Sequence, residues 1–391
     1  MSSHPPYETL SVRASAQIHS AAQHAAAILN KGGLVVLPTE TLYGVAARAD
    51  LHDAVRALAH ATHRPPDSLG SSWHLSADGI PRAIEAVAPL PLLHRRIIER
   101  LAPGPVRFSL DIPRGWPLPR GTADDGTRAS LRIVQDPMAC AVLSACDGPV
   151  VVNRIGLDAR VARGVPGAAL VVDTGPTTFG RPATSVALGR TPAGIPCYGV
   201  ESGHIGAMEE RVIHRRIQRT ILFACTGNTC RSPMAMAIAS HWLSNASPES
   251  LGYIPTIAAS AGVSAAEGEP ASRENGPALR ALGISPEPHR ATRLTAGMIA
   301  DAEAVFVMTQ SHARAVRSIS GPGGGGGGGG GGGVEPGLHG KIRLLDPAGD
   351  IEDPFGGTQK MYDDLARRLR DLVADRLAEL ISPAQTKGGT P

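Results

Sequence analysis

At 391 residues the chain is too long for one ordinary domain and suits two or three. Apolar residues at 42% can fill sizeable cores, and 19% charged residues with a net charge of +3 exclude a disordered polyelectrolyte. Aromatic residues make up 3%, which leaves little material for a base-stacking surface. No apolar run approaches the roughly 20 residues needed to span a bilayer. The opening residues lack the basic and apolar regions of a signal peptide, so the expectation is a cytoplasmic protein without membrane contact. Cys140, Cys146, Cys197, Cys225 and Cys230 are an odd number in a large chain and do not read as a disulfide framework.

In the first half, Ile18, Ala21, Ala22, Ala25, Ile28 and Leu29 share one helical face, and Gly32-Gly33 can end that helix. Residues 34–37 read as a short buried strand, Pro38 to Gly44 as a loop, 53–60 as a helix and 150–153 as a strand. Proline and glycine are dense over 102–121 and 164–199, which reads as loops over a mixed α/β core. A polar, Arg-rich segment at 203–216 marks the boundary, giving units of about 1–205 and 217–385.

The second half has a cleaner rhythm. Strands are expected at 220–224, 256–259, 304–308 and 342–345, separated by helical patterns. Pro233 can start a helix at its first position. Leu365, Leu369, Leu372, Val373, Leu377 and Leu380 line one face of the last helix. The alternation predicts an α/β unit with a doubly wound parallel sheet covered on both sides. Within a Gly-rich stretch at 321–334, Gly323 to Gly333 is an unbroken run. No Lys-Ser or Lys-Thr follows it, so it reads as a flexible insertion rather than a nucleotide phosphate loop.

The sharpest signal is Cys225-Thr226-Gly227-Asn228-Thr229-Cys230-Arg231-Ser232-Pro233, between an expected strand and an expected helix. A short loop entering a helix aims backbone N–H groups at one point, with the positive helix end behind them. Gly227 relieves steric restriction, and Asn228 tolerates left-handed geometry. Cys225 is placed as a thiolate nucleophile, and Arg231 offers a planar fork for two phosphate oxygens. Ser232 can donate to the thiolate. A zinc site would need further ligands, and no second cysteine pair exists; neither metal nor cofactor is expected.

These residues resemble the low-molecular-weight protein tyrosine phosphatase family, over about residues 219–380. Ser260-Ala261-Gly262 and Asp353-Pro354-Phe355-Gly356-Gly357 extend the resemblance. It implies that Cys225 attacks phosphorus, that Thr226, Gly227, Asn228, Thr229, Cys230 and Ser232 bind the phosphoryl group with Arg231, and that Asp353 is the general acid. Asp346-Pro347 is a rival without the following Phe-Gly-Gly. Thr229, where phosphotyrosine enzymes of the family carry an aliphatic residue, is similar to the protein-arginine phosphatase branch. Met236 departs from the acidic residue common there. The resemblance also raises a reversible disulfide between Cys225 and Cys230. The absence of a later cysteine argues against arsenate reduction.

In the first half, Lys31 to Gly44, with its Pro38-Thr39-Glu40-Thr41-Leu42-Tyr43-Gly44, resembles the YrdC/Sua5 family. Pro103-Gly104-Pro105, Arg132 and Gly148-Pro149-Val150-Val151 carry the resemblance to about residue 198. It implies a mixed α/β twisted sheet and synthesis of threonylcarbamoyl-adenylate for tRNA modification, with Thr39, Tyr43, Arg64 and Arg132 at the ligand site. Thr62 stands where the family has lysine, Arg154-Ile155-Gly156 where it has Ser-x-Asn, and Ala187 where it has an acid. The expected whole is a fusion. Its active unit hydrolyses phosphoarginine or phosphotyrosine on protein partners. Its first unit is a degenerate member that binds a nucleotide or RNA, or supports its neighbour; an active synthase is the alternative, and a pure binding module a third class.

Overall fold

Along Arg219–Cys225 the side chains alternate between two cores. Ile221 and Phe223 pack with Ala304, Phe306 and Leu369, whereas Leu222 and Ala224 pack with Val305, Val307 and Val316. A strand buried on both faces is what a parallel sheet between helical layers requires. The computed structural model that shows this describes residues 7–63, 72–75, 90–111, 123–124, 128–157, 165–201, 203, 205–321 and 338–381. The chain divides into two units, Met1–Ile217 and Gln218–Pro391.

The second unit holds a four-stranded, all-parallel sheet in the order Thr256–Gly262, Arg219–Cys225, Ala302–Val307, Ile342–Leu344. One face is covered by helices Arg231–Asn245, Asn275–Ala281 and Gln359–Ile381. The last of these buries Leu365, Leu369, Val373 and Leu377 as the leucine pattern predicts. Ile299 and Val316, from helices Ala296–Asp301 and Gln310–Ile319, pack on the other face. The run Gly323–Gly333 lies outside the described residues.

In the first unit eleven described strands form one mixed sheet. Its order is Glu8–Ser11, Ala168–Asp173, Leu34–Leu37, Tyr43–Arg48, Val150–Gly156, Ser72–Leu75, Arg128–Ile133, Val106–Asp111, Thr184–Arg190 and Pro196–Val200, with Ala123–Asp124 beside Arg128–Ile133. Val35 and Leu37 pack with Ala25 and Leu29 of helix Ile18–Asn30. Leu34 and Val36 pack on the opposite face with Leu58 of helix His52–Ala61. Both α/β expectations match what is observed.

Four local readings change. Helix Arg231–Asn245 begins two residues before Pro233, which sits third in its first turn rather than first, where a missing N–H is still harmless. Tyr43 and Gly44 open a strand rather than close a loop. The Pro/Gly-dense stretches contain Val106–Asp111, Ala168–Asp173, Thr184–Arg190 and most of Pro196–Val200, where backbone pairing overrides the composition. The Arg-rich boundary segment folds in its second half as helix Glu210–Ile217, with Ile213 and Ile217 buried.

Candidate active site

The Cys225 loop joins the end of strand Arg219–Cys225 to helix Arg231–Asn245, at the carboxyl end of a parallel sheet, where open α/β folds place ligands. Cys225 is buried, with Sγ 3.0 Å from Ser232 Oγ and accepting from Asn228 N at 3.3 Å. Asn228 is fully buried at φ 58°, the left-handed region that asparagine tolerates. Its Nδ2 donates to Ser232 Oγ and Ser260 Oγ, both at 2.9 Å, and its Oδ1 accepts from Thr292 N at 2.9 Å. At the neighbouring strand end, a Cβ on Gly262 would lie 2.5 Å from Thr226 O and 2.9 Å from Asn228 N, so only glycine fits beside the loop.

Donors from outside hold the loop's carbonyls. Val263 N donates to Cys225 O, Ser264 N to Thr226 O, and His289 Nε2 lies 2.7 Å from Asn228 O. Ser272 N and Asn275 Nδ2 donate to Thr229 O, and Asn275 Nδ2 also reaches Cys230 O. A peptide's C=O and the next residue's N–H lie in one plane and point opposite ways. Anchoring these five carbonyls therefore turns the N–H groups of Thr226, Gly227, Thr229, Cys230 and Arg231 away from those donors. Among the described residues, none of these five N–H groups donates to a protein atom.

Arg231 is buried at the first turn of the helix. Its Nη1 donates to Ile351 O at 2.9 Å and its Nη2 to Asp353 Oδ2 at 2.5 Å, while its Nε is buried without a partner. Asp353 is 41% exposed and accepts Phe355 N on its other oxygen. The rival Asp346 instead binds Arg368 of the last helix and Ala348 N; the guanidinium holds its carboxyl below the usual carboxylate range. Thr229 is half-buried, its Oγ1 3.5 Å from where a Gly227 Cβ would sit. Cys230 Sγ lies 3.0 Å from Ser272 Oγ and 3.4 Å from Tyr362 OH, and both loop cysteines are free thiols. Burial, reinforced by Cys230, pushes the Tyr362 phenol up to about 12.

His312 is buried between two threonines, Nε2 2.9 Å from Thr226 Oγ1 and Nδ1 2.9 Å from Thr309 Oγ1. Burial and the Arg231 charge push its imidazole down to about 4. The sequence reading missed His312, Asn275, Ser272, His289 and Thr292. They reach the loop from 42 to 86 residues away, and their one shared signal is a polar residue near a turn or helix end.

In the first unit Thr39, Glu40, Thr41 and Arg132 come together. Arg132 Nη2 donates to Glu40 Oε1 at 2.6 Å with both side chains buried, and Gln135 N donates to the other carboxylate oxygen. Arg132 Nε is buried without a partner. The Thr39 hydroxyl donates to Leu42 O, and the Tyr43 hydroxyl donates to Gly175 O and accepts from Thr174 N. Both hydroxyls thus brace local structure. Thr62 does likewise, donating to Leu58 O and accepting Asn153 Nδ2. Arg64 lies outside the described residues.

A family model described as low molecular weight phosphotyrosine protein phosphatase matches residues 220–323. The protein-arginine-phosphatase of Geobacillus stearothermophilus is 36% identical over 166 residues, 42% of this chain and 97% of that protein. The low molecular weight protein-tyrosine-phosphatase PtpB of Staphylococcus epidermidis is 30% identical over 153 residues, 39% of this chain and 93% of that protein. In its second unit the chain belongs to the low molecular weight phosphotyrosine protein phosphatase family. Ahead of this phosphatase unit, residues 27–157 match the Sua5/YciO/YrdC family model, described as telomere recombination. There the chain is similar to the threonylcarbamoyl-AMP synthase of Halorhodospira halophila, 28% identical over 187 residues, 48% of this chain and 85% of that protein. No helix among the described residues is long and apolar enough to cross a membrane.

Proposed function

We propose that the phosphatase unit hydrolyses phosphoarginine or phosphotyrosine on proteins through a phosphocysteine intermediate. The observation that carries this is the ring of five unspent backbone N–H groups around Cys225, with the unpartnered Arg231 Nε beside them. Several donors fixed around one buried thiol suit a tetrahedral oxyanion, and suit it best as negative charge spreads over the phosphoryl oxygens in the transition state. The Cys225 thiolate forms the S–P bond as the P–O or P–N bond breaks, and Asp353 protonates the departing group. Asp353, now a carboxylate, then takes a proton from the water that attacks phosphorus. The S–P bond breaks, inorganic phosphate leaves and the thiolate returns. Ser232 and Asn228 N stabilise that thiolate from 3.0 and 3.3 Å. Turnover of phosphoarginine and phosphotyrosine by the full chain and by Cys225→Ser tests the reading; Cys225→Ser must be inactive while folded.

The first unit supports a second reading. We propose that it binds a nucleotide or RNA and makes little threonylcarbamoyl-adenylate. Thr62 replaces a cation and spends its hydroxyl on the fold, and Arg132 faces a buried carboxylate. A threonine- and bicarbonate-dependent AMP adduct formed by the full chain would overturn it.

A further inference from the structure

Within the phosphatase unit, Thr226 and Gly227 form the half of the loop that Asn228's side-chain network does not reach. Thr226 is exposed as a residue, and Gly227 makes no hydrogen bond to protein among the described residues. Two backbone anchors, Val263 N on Cys225 O and Ser264 N on Thr226 O, hold its peptide planes, and the one side-chain anchor is His312 Nε2, 2.9 Å from Thr226 Oγ1. His312 is itself fixed. Its Nδ1 meets Thr309 Oγ1, which also accepts His312 N as the cap of helix Gln310–Ile319.

The same corner holds the acid segment. Ile351 N donates to Met308 O and Gln310 N to Asp350 Oδ1, two and three residues before Asp353. Ile351 O in turn accepts from Arg231. The 308–312 corner therefore touches the nucleophile's loop through His312 and the Arg231–Asp353 segment through Met308 and Gln310.

We propose that His312 is a positioning residue for phosphoryl transfer, acting through the Thr226 hydroxyl to aim the Thr226 and Gly227 N–H groups at the phosphoryl oxygens. The inference rests on the phosphatase reading and adds a residue to it. A neutral imidazole has one donor and one acceptor, which the two threonine hydroxyls satisfy without bringing a second positive charge beside Arg231. Misdirecting loop N–H groups should weaken oxyanion binding and turnover together, since both depend on the same donors.

The test is a double-mutant cycle on the full chain, with His312→Ala, Thr226→Val, both together, and His312→Gln. Tungstate affinity is measured by calorimetry and kcat with para-nitrophenyl phosphate. His312→Ala and Thr226→Val should each weaken tungstate binding about tenfold and lower kcat similarly. The double variant should be no worse than either single one, because both remove one interaction. His312→Gln, which can still bond Thr226, should recover most of the loss. Wild-type behaviour of Thr226→Val, or single losses that multiply in the double variant, would overturn the proposal. Should His312→Ala not fold, Thr226→Val set against His312→Gln decides by the same criteria. Should the full chain hydrolyse neither a phosphomonoester nor phosphoarginine, the phosphatase reading fails, while tungstate affinity still reads the positioning.

Discussion

Arg231 reaches Asp353 with one arm of its guanidinium, 2.5 Å from Oδ2, and keeps its opposite edge, Nε, buried without a partner. The residue proposed to hold the phosphoryl group is thus in contact with the residue proposed to protonate the leaving group. Arg231→Lys replaces a planar fork with a point charge and abandons either Ile351 O or Asp353. It should lower kcat/KM by about a hundredfold or more, measured on para-nitrophenyl phosphate. Asp353→Asn should slow phenyl phosphate far more than para-nitrophenyl phosphate, because only the poorer leaving group needs the proton. Equal slowing of both would remove Asp353 from the acid role.

Ser232→Ala removes the hydroxyl 3.0 Å from Cys225 Sγ. A thiolate leaving phosphorus loses a charge-assisted hydrogen bond, typically about 1.5–3 kcal/mol. Breakdown of the phosphocysteine should become slower than its formation. Rapid-quench kinetics should then show a burst followed by a steady rate reduced about ten- to hundredfold. An equal fall in burst and steady rates would contradict this.

Thr229 sets the expected preference for phosphoarginine. An aliphatic wall would leave guanidinium N–H groups unpaired at about 1–3 kcal/mol for each buried group, enough for roughly tenfold discrimination. Thr229→Ile should shift the kcat/KM ratio toward phosphotyrosine. An unchanged ratio in an enzyme that already prefers phosphotyrosine would end the arginine assignment and leave the phosphatase assignment standing.

Asn228 combines left-handed backbone with a buried network. Asn228→Ala should destabilise the phosphatase unit by about 3 kcal/mol, through strain and unpaired partners together. Asn228→Gly keeps the conformation without the network and should recover about 1 kcal/mol of that. Urea denaturation of the two variants checks the order, which reverses if the backbone is not the strained element.

Acid should loosen the same unit through His312. Burial and Arg231 depress its folded pKa to about 4, against opposing effects of Asp353 and Asp350. A group that prefers to be neutral when folded gives its stability above the unfolded value of about 6.5. That contribution is lost as pH falls from about 6.5 through about 4, because only the unfolded chain protonates freely. The loss is up to about 3 kcal/mol. His312→Gln should flatten the stability curve over that window while leaving the Asp346–Arg368 contribution, whose carboxyl titrates lower. A parallel curve would show that other groups govern the acid limb.

Cys225, Arg231 and Ser232 are legible in the sequence because one loop and one helical turn set their spacing, so a local pattern suffices. Asp353 is legible through the Phe355-Gly356-Gly357 that follows it. His312, His289 and Asn275 are not, since each meets the loop only after at least one further strand of the sheet has intervened. The strands Val106–Asp111 and Thr184–Arg190 escape the same kind of reading. Six or seven residues carry too little alternation to outweigh the prolines and glycines at their ends, and it is pairing with each other that fixes them. Helix Glu210–Ile217 shows only two buried residues, Ile213 and Ile217, one turn apart, and its arginines otherwise read as a linker.

Gly262 gives the Cys225–Arg231 loop a mould it does not itself contain. The nearest atoms to an added Cβ include Thr226 O and Asn228 N, main-chain atoms that cannot swing aside as a flexible side chain would. A single methyl group there would have to push the loop bodily, displacing it without changing the identity of Cys225, Arg231 or any other residue of the loop. Tolerance to mutation in this unit should therefore be mapped by backbone proximity as well as by chemistry. A residue with no side chain at all should thus be among its less replaceable positions outside the Cys225–Ser232 motif.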